Sequence, residues 1–259
     1  MIEKPALVEL GARRLFRVLY LPDGNARAGV LLAPPFFDEA RAAGRFPVLL
    51  ARELAARGFA CARFDYASTG ESGGAAADLT LTGAREDLRR VAADLLARAG
   101  TDRLALVGLR MGASLAFLEA SRANAAALAL LAPIRSGERY LRLELERRRL
   151  RRAMTAGSAG AGAADEVIDL DGIAVSPRLA GEIRALDLAA AEAPACPALL
   201  VDLGPRREPS RELAALAARM GDAARAEAIR IPSFWTPLEH VETEGVRARA
   251  AAFLEEAFP

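Results

Sequence analysis

The segment Leu106–Ala116 reads Leu-Val-Gly-Leu-Arg-Met-Gly-Ala-Ser-Leu-Ala, an apolar strand running through a tight turn into a helix. Gly108 and Gly112 bracket the turn at the spacing of G-x-S-x-G, the pattern in which a strained bend lifts a serine hydroxyl to the top of a sheet. Arg110 stands where that serine would be. A guanidinium is always protonated and cannot attack a carbonyl. It can instead grip a carboxylate, phosphate or sulfate with two parallel hydrogen bonds. The helix that begins at Met111 adds backbone amides and the positive end of its dipole at the same place. A cation there needs an anion beside it, either an acidic side chain or a ligand.

The elements around this turn can be read from periodicity and breakers. Leu7–Leu10 and Arg14–Leu21 form an antiparallel hairpin around Gly11, and Gly29–Ala33 is a short apolar strand whose exit is made non-helical by Pro34-Pro35. Pro47–Arg57 has helical apolar spacing and stops at Gly58, Ala60–Phe64 is a buried strand, and Leu81–Ala99 is an amphipathic helix. Leu104–Val107, Met111–Ala120 and Ala126–Leu131 follow as strand, helix and strand. Such alternation requires crossover connections and predicts a mostly parallel, doubly wound sheet. The rhythm breaks over 134–188, with an arginine-rich helix Tyr140–Arg152, a Gly/Ala/Ser tract Ala156–Ala164 too poor in side chains to pack, and a mixed segment Val167–Leu188. It resumes with strand Ala198–Val201, helix Ser210–Met220, strand Ala226–Ile231 and helix Glu244–Phe258. The expected organisation is one α/β domain over 1–259 with a short helical cap, 134–188, inserted within it.

Three segments resemble the α/β-hydrolase superfamily in order and spacing: Ala33-Pro34-Pro35-Phe36-Phe37-Asp38-Glu39, Phe64-Asp65-Tyr66-Ala67-Ser68-Thr69-Gly70-Glu71-Ser72, and the turn Gly108–Gly112. The resemblance implies the α/β-hydrolase fold. It also implies an oxyanion hole built from the amides of Phe36 or Phe37 and of Met111. The loop holding Asp38 and Glu39 would lie over Arg110, making them its nearest acidic partners, unless they are ordinary solvated loop acids. His240, the only histidine, follows the last predicted strand, where this fold carries its catalytic base; the alternative is a surface residue leading into the final helix. Glu208 is the best-placed carboxylate to orient it and Asp202 the next, although both have arginine neighbours to pair with. Ser114 lies four residues past Arg110, inside the helix, and reads as a packing serine rather than a displaced nucleophile.

A narrower likeness is carried by Pro34-Pro35-Phe36, Gly108-Leu109-Arg110-Met111-Gly112-Ala113, Ala132-Pro133-Ile134-Arg135-Ser136-Gly137, Asp171-Gly172-Ile173-Ala174-Val175-Ser176-Pro177 and Pro232-Ser233-Phe234-Trp235. These segments are similar to the exosortase A system-associated hydrolases, the type 2 group being nearer. That resemblance implies an association with exopolysaccharide and protein-sorting systems.

Composition narrows the partners. The chain has 259 residues, 53% apolar and 27% charged, with a formal net charge of +1, which leaves no field to gather nucleic acid. No apolar run has the length of a membrane span, the N-terminus lacks a signal-peptide profile, and two cysteines make no disulfide framework, so a cytoplasmic protein is expected. Neither a metal-ligand cluster nor a phosphate-cradling glycine loop is visible, and no cofactor is expected. Two readings stay open: hydrolysis of an ester or thioester by water activated at His240, or an inactive module that binds a small anionic or acyl ligand, or scaffolds a protein partner.

Overall fold

Short, continuously apolar runs form the centre of the sheet because only residues without polar side chains can be buried on both of its faces. β3 (Gly29–Ala33) and β5 (Leu104–Leu109) are buried at every position. The computed structural model describes residues 1–155, 168–170, 173–236 and 241–259. The tract Ala156–Ala164 and His240 lie outside the described residues.

The remaining strands are β1 (Ile2–Leu10), β2 (Arg13–Leu21), β4 (Ala60–Phe64), β6 (Ala125–Leu131), β7 (Ile168–Leu170), β8 (Ile173–Val175), β9 (Ala198–Gly204) and β10 (Ala224–Arg230). Eight of the ten build one sheet in the order β1-β2-β4-β3-β5-β6-β9-β10. β1 and β2 pair antiparallel, β2 meets β4 antiparallel, and every pairing from β4 to β10 is parallel. The helices are α1 (Phe37–Ala42), α2 (Arg45–Ala56), α3 (Leu81–Ala99), α4 (Met111–Glu119), α5 (Gly137–Thr155), α6 (Pro177–Arg184), α7 (Arg211–Met220) and α8 (Glu244–Ala257).

Two apolar layers sandwich the sheet. One packs α3, α4, α6 and α7 against it around Leu88, Leu95, Leu115, Ile183 and Leu216. The other packs α2 and α8 around Leu50, Leu54, Phe253 and Phe258. Helix ends follow their caps: Thr80 accepts from the Gly83 amide at the start of α3, and Gly100, at φ +64°, closes its end in the left-handed region that glycine adopts without strain.

Between β6 and β9 the chain leaves the sheet, forming α5, the β7–β8 hairpin and α6. α6 is tied to the core by Glu182, whose Oε2 accepts from the first amide of α3, Leu81, at 2.6 Å and from Thr82 at 3.2 Å. The sequence reading lacks α1, which it takes as a loop after Pro34-Pro35, the single 3-10 turn at Ala76–Asp78, and the β7–β8 hairpin and α6 within the segment it reads as mixed.

The parallel order reverses at β3, which lies between β4 and β5. Chains leaving the carboxyl ends of β3 and β5 turn away toward opposite faces there, opening the crevice in which open α/β sheets bind ligands. The register sets Ala33 beside Gly108, so the β3 exit and the β5–α4 turn start as immediate neighbours.

Candidate functional site

Arg110 occupies the β5–α4 turn at φ 56° and ψ −118°, a backbone region that side chains other than glycine rarely adopt. The strain is held by its surroundings. The Arg110 amide donates to the Leu131 carbonyl at 2.9 Å, anchoring the turn to the end of β6. The flanking glycines are required by contact: a Cβ on Gly112 would overlap the Ala33 and Pro34 carbonyls, and one on Gly108 would overlap the Ala113 backbone. α4 therefore starts hard against the β3 exit.

That exit carries the partner. Phe37, also at positive φ (56°), opens α1, and one turn of this helix brings Glu39 over Arg110. Arg110 Nε and Nη2 donate to the same oxygen, Glu39 Oε1, at 3.0 and 2.9 Å. The side chains are 18% and 10% exposed, so the pair is largely withdrawn from water. Glu39 Oε2 is buried and has no hydrogen-bond partner among the described residues. Burial pushes the Glu39 carboxyl above the ordinary carboxylate range, and the Arg110 charge and hydrogen bonds pull it back only in part. Glu144 of α5, itself paired with Arg147 at 2.7 Å, adds to the upward push.

The guanidinium is also framed by two rings. Its Cζ lies 5.1 Å from the centroid of Trp235 and 5.8 Å from that of Tyr140, distances at which cation–π attraction contributes about 0.5–2 kcal/mol each. Sequence reasoning missed both rings. The signals were that Trp235 is the sole tryptophan and closes the segment Pro232-Ser233-Phe234-Trp235, and that Tyr140 heads the arginine-rich helix.

The other predicted residues fall as follows. Asp38 pairs with Arg41 at 3.0 Å, and of the two acids it is Glu39 that meets Arg110. Met111 and Phe37 are the first residues of α4 and α1, and amides in the first turn of a helix have no intrahelical acceptor. Phe36 precedes α1 in an extended conformation, and its ring is buried edge-on against Tyr66 at 5.2 Å. Ser114 is fully buried in α4 and donates to the Ile134 carbonyl at 2.7 Å, a packing role. Asp202 accepts from the Ser210 amide at 2.7 Å and pairs with Arg135 at 3.0 Å. Glu208 is exposed on the loop after β9, and its suggested partner His240 lies outside the described residues.

Two cavities open near the site, and only the second is bordered by α1. One, of about 530 Å³, is bounded by Arg110, Tyr140, Leu143, Leu188, Leu216 and the basic side chains Arg135, Arg139 and Arg219, with Asp187 and Glu212 also on its wall. The other, of about 440 Å³, lies behind Phe36 and Phe37, between Tyr66, Leu79 and Leu179. No group of three His, Cys, Asp or Glu side chains is arranged to hold a metal among the described residues. No helix there is long and apolar enough to cross a membrane.

This architecture is the α/β-hydrolase fold. A ferulic acid-bound structure of Est1E from Butyrivibrio proteoclasticus superposes with a TM-score of 0.71 over 99% of both chains at 17% identity. DcsB in complex with a substrate analogue gives 0.70 over 99% of both chains at 15% identity. An esterase from Pyrococcus furiosus gives 0.67 over 100% of this chain and 92% of its own, at 18% identity. No family model and no curated protein sequence matches the chain.

Proposed function

We propose that this protein is a non-catalytic member of the α/β-hydrolase fold class whose central turn has been converted from a nucleophile carrier into a fixed ion pair. It would bind a small anionic or acyl ligand in the cleft beside Arg110. The observation that carries the reading is the Arg110–Glu39 pair. The side chain at the position of the serine is a permanent cation, bonded to a buried carboxylate and framed by Trp235 and Tyr140.

The chemistry argues against serine-type turnover. Removing the nucleophile of a triad costs on the order of 10⁶ in kcat, leaving only what binding and the oxyanion hole supply. A water-activating route through His240 would need an acid to orient it, and Glu208 sits exposed on its loop. The open 530 Å³ cleft supports binding: pockets of this size suit small organic ligands, and a collapsed site would have pointed to scaffolding alone. The resemblance in the turn, the β6 exit and Pro232–Trp235 supports, within this proposal, an association with exosortase-associated polysaccharide and sorting systems.

The test is turnover of short aryl esters and acyl thioesters by purified protein. The expected result is hydrolysis equal to the buffer rate, unchanged in the Arg110→Gln variant. Turnover above background that disappears in His240→Ala would replace this reading with the water-activating enzyme.

A further inference from the structure

The cleft beside Arg110 does not end at Arg135. Arg135, Arg139 and Glu212 also line a second cavity of about 260 Å³, walled by the stretch from Asp202 to Arg206 at the carboxyl end of β9. The two spaces share these three residues as a common rim. They differ in chemistry: Tyr140, Leu143, Leu188 and Leu216 give the inner space apolar walls, whereas the outer one is bordered by five charged side chains and the end of β9.

Charge pairing shows which arginines are free to hold a ligand. Arg110 is committed to Glu39. Arg135 is committed to Asp202 at 3.0 Å. Arg219 donates to the carbonyls of Leu188, at 2.8 Å, and Ala191. The guanidinium groups of Arg139 and Arg206 have no partner among the described residues. An anion seated on Arg110 would strip Glu39 of its compensating charge while that carboxylate stays buried, which is costly. An anion seated between Arg139 and Arg206 displaces only water and gains charge-assisted hydrogen bonds. Glu212, a carboxylate on the shared rim with no ion-pair partner among the described residues, opposes it and leaves the outer space with a single net positive charge.

Resting on the reading of this cleft as a binding site, we infer that the ligand is an amphiphile, an apolar acyl or aryl body ending in an oxyanion. The body fills the inner cleft against Tyr140, Leu188 and Leu216. The oxyanion lies outward, between Arg139 and Arg206, and leaves the Arg110–Glu39 pair intact.

Calorimetric titration of the full chain with n-octyl phosphate, n-octanol and inorganic phosphate tests this. Octyl phosphate is expected to bind at least about tenfold more tightly than either half-ligand. Arg139→Gln with Arg206→Gln, both at exposed positions, should bring octyl phosphate down to the octanol level. Glu212→Gln should tighten octyl phosphate, and Leu216→Trp should weaken both octyl compounds by filling the inner cleft. Equal binding of octyl phosphate and octanol, or octyl phosphate binding that survives the double arginine substitution, overturns the oxyanion grip and leaves the binding cleft standing. Absence of binding by both octyl compounds overturns the cleft as a binding site, and the grip with it.

Discussion

Arg110 and Glu39 are worth more together than apart. Removing the arginine alone leaves a carboxylate that is 10% exposed without its compensating charge, and such a loss costs about 3 kcal/mol. Arg110→Ala should therefore lower the unfolding free energy by about that amount, and Arg110→Ala with Glu39→Ala by clearly less than the sum of the two single changes. A double-mutant cycle by urea denaturation measures the difference, expected at about 1 kcal/mol or more. The pH dependence has a definite sign. Burial raises the folded-state pKa of Glu39 above its unfolded value, so the folded state binds the extra proton. The stability this gives is full below the ordinary carboxylate pKa and is lost as pH rises through the raised value. Glu39→Gln cannot titrate, so its stability relative to the parent protein should climb between about pH 4 and the raised pKa. A flat difference across that interval would mean that the arginine fully cancels the burial.

The turn, the short helix and the intervening segment each position one part of the site. Gly112→Ala places a methyl on the Ala33 and Pro34 carbonyls and should cost at least about 3 kcal/mol, because α4 cannot retreat without pulling Arg110 from the Leu131 carbonyl. Glu182→Ala removes the acceptor for the first amides of α3 and should cost about 1 kcal/mol, read as a lowered thermal midpoint. Much of this layer was legible in the chain. Gly108 and Gly112 marked the turn, the alternation of apolar runs located each strand of the large sheet, and the need of Arg110 for an anion pointed to Asp38 or Glu39. The choice between those two acids was not legible. It depends on α1, a six-residue helix directly after Pro34-Pro35, too short to show a period and opened by Phe37 in a positive-φ conformation. The aromatic frame was hidden for another reason. Tyr140 and Trp235 lie ninety-five positions apart in the chain, and they meet Arg110 from two different elements, Tyr140 from α5 and Trp235 from the stretch after β10. The β7–β8 hairpin, with three residues in each strand, is likewise below the length at which alternation can be read.

Across the whole molecule, the α/β-hydrolase fold carries at its central turn an arginine paired with a carboxylate. The two cysteines report on that framework. Cys61 is fully buried in β4, and burial drives its thiol far up; Cys196, half-buried, is pushed up to about 11. At pH 8 only about one Cys196 thiol in a thousand is ionised. Iodoacetamide should therefore modify Cys196 slowly, and Cys61 only in step with global unfolding by urea, followed by mass spectrometry. The central claim, that the fold carries no working serine nucleophile, is tested most directly by the intact mass of the native protein after exposure to a fluorophosphonate probe. An unchanged mass, with an active serine esterase labelled in parallel, is the expected result. A single covalent adduct on any serine, lost on heat denaturation before exposure, would contradict it.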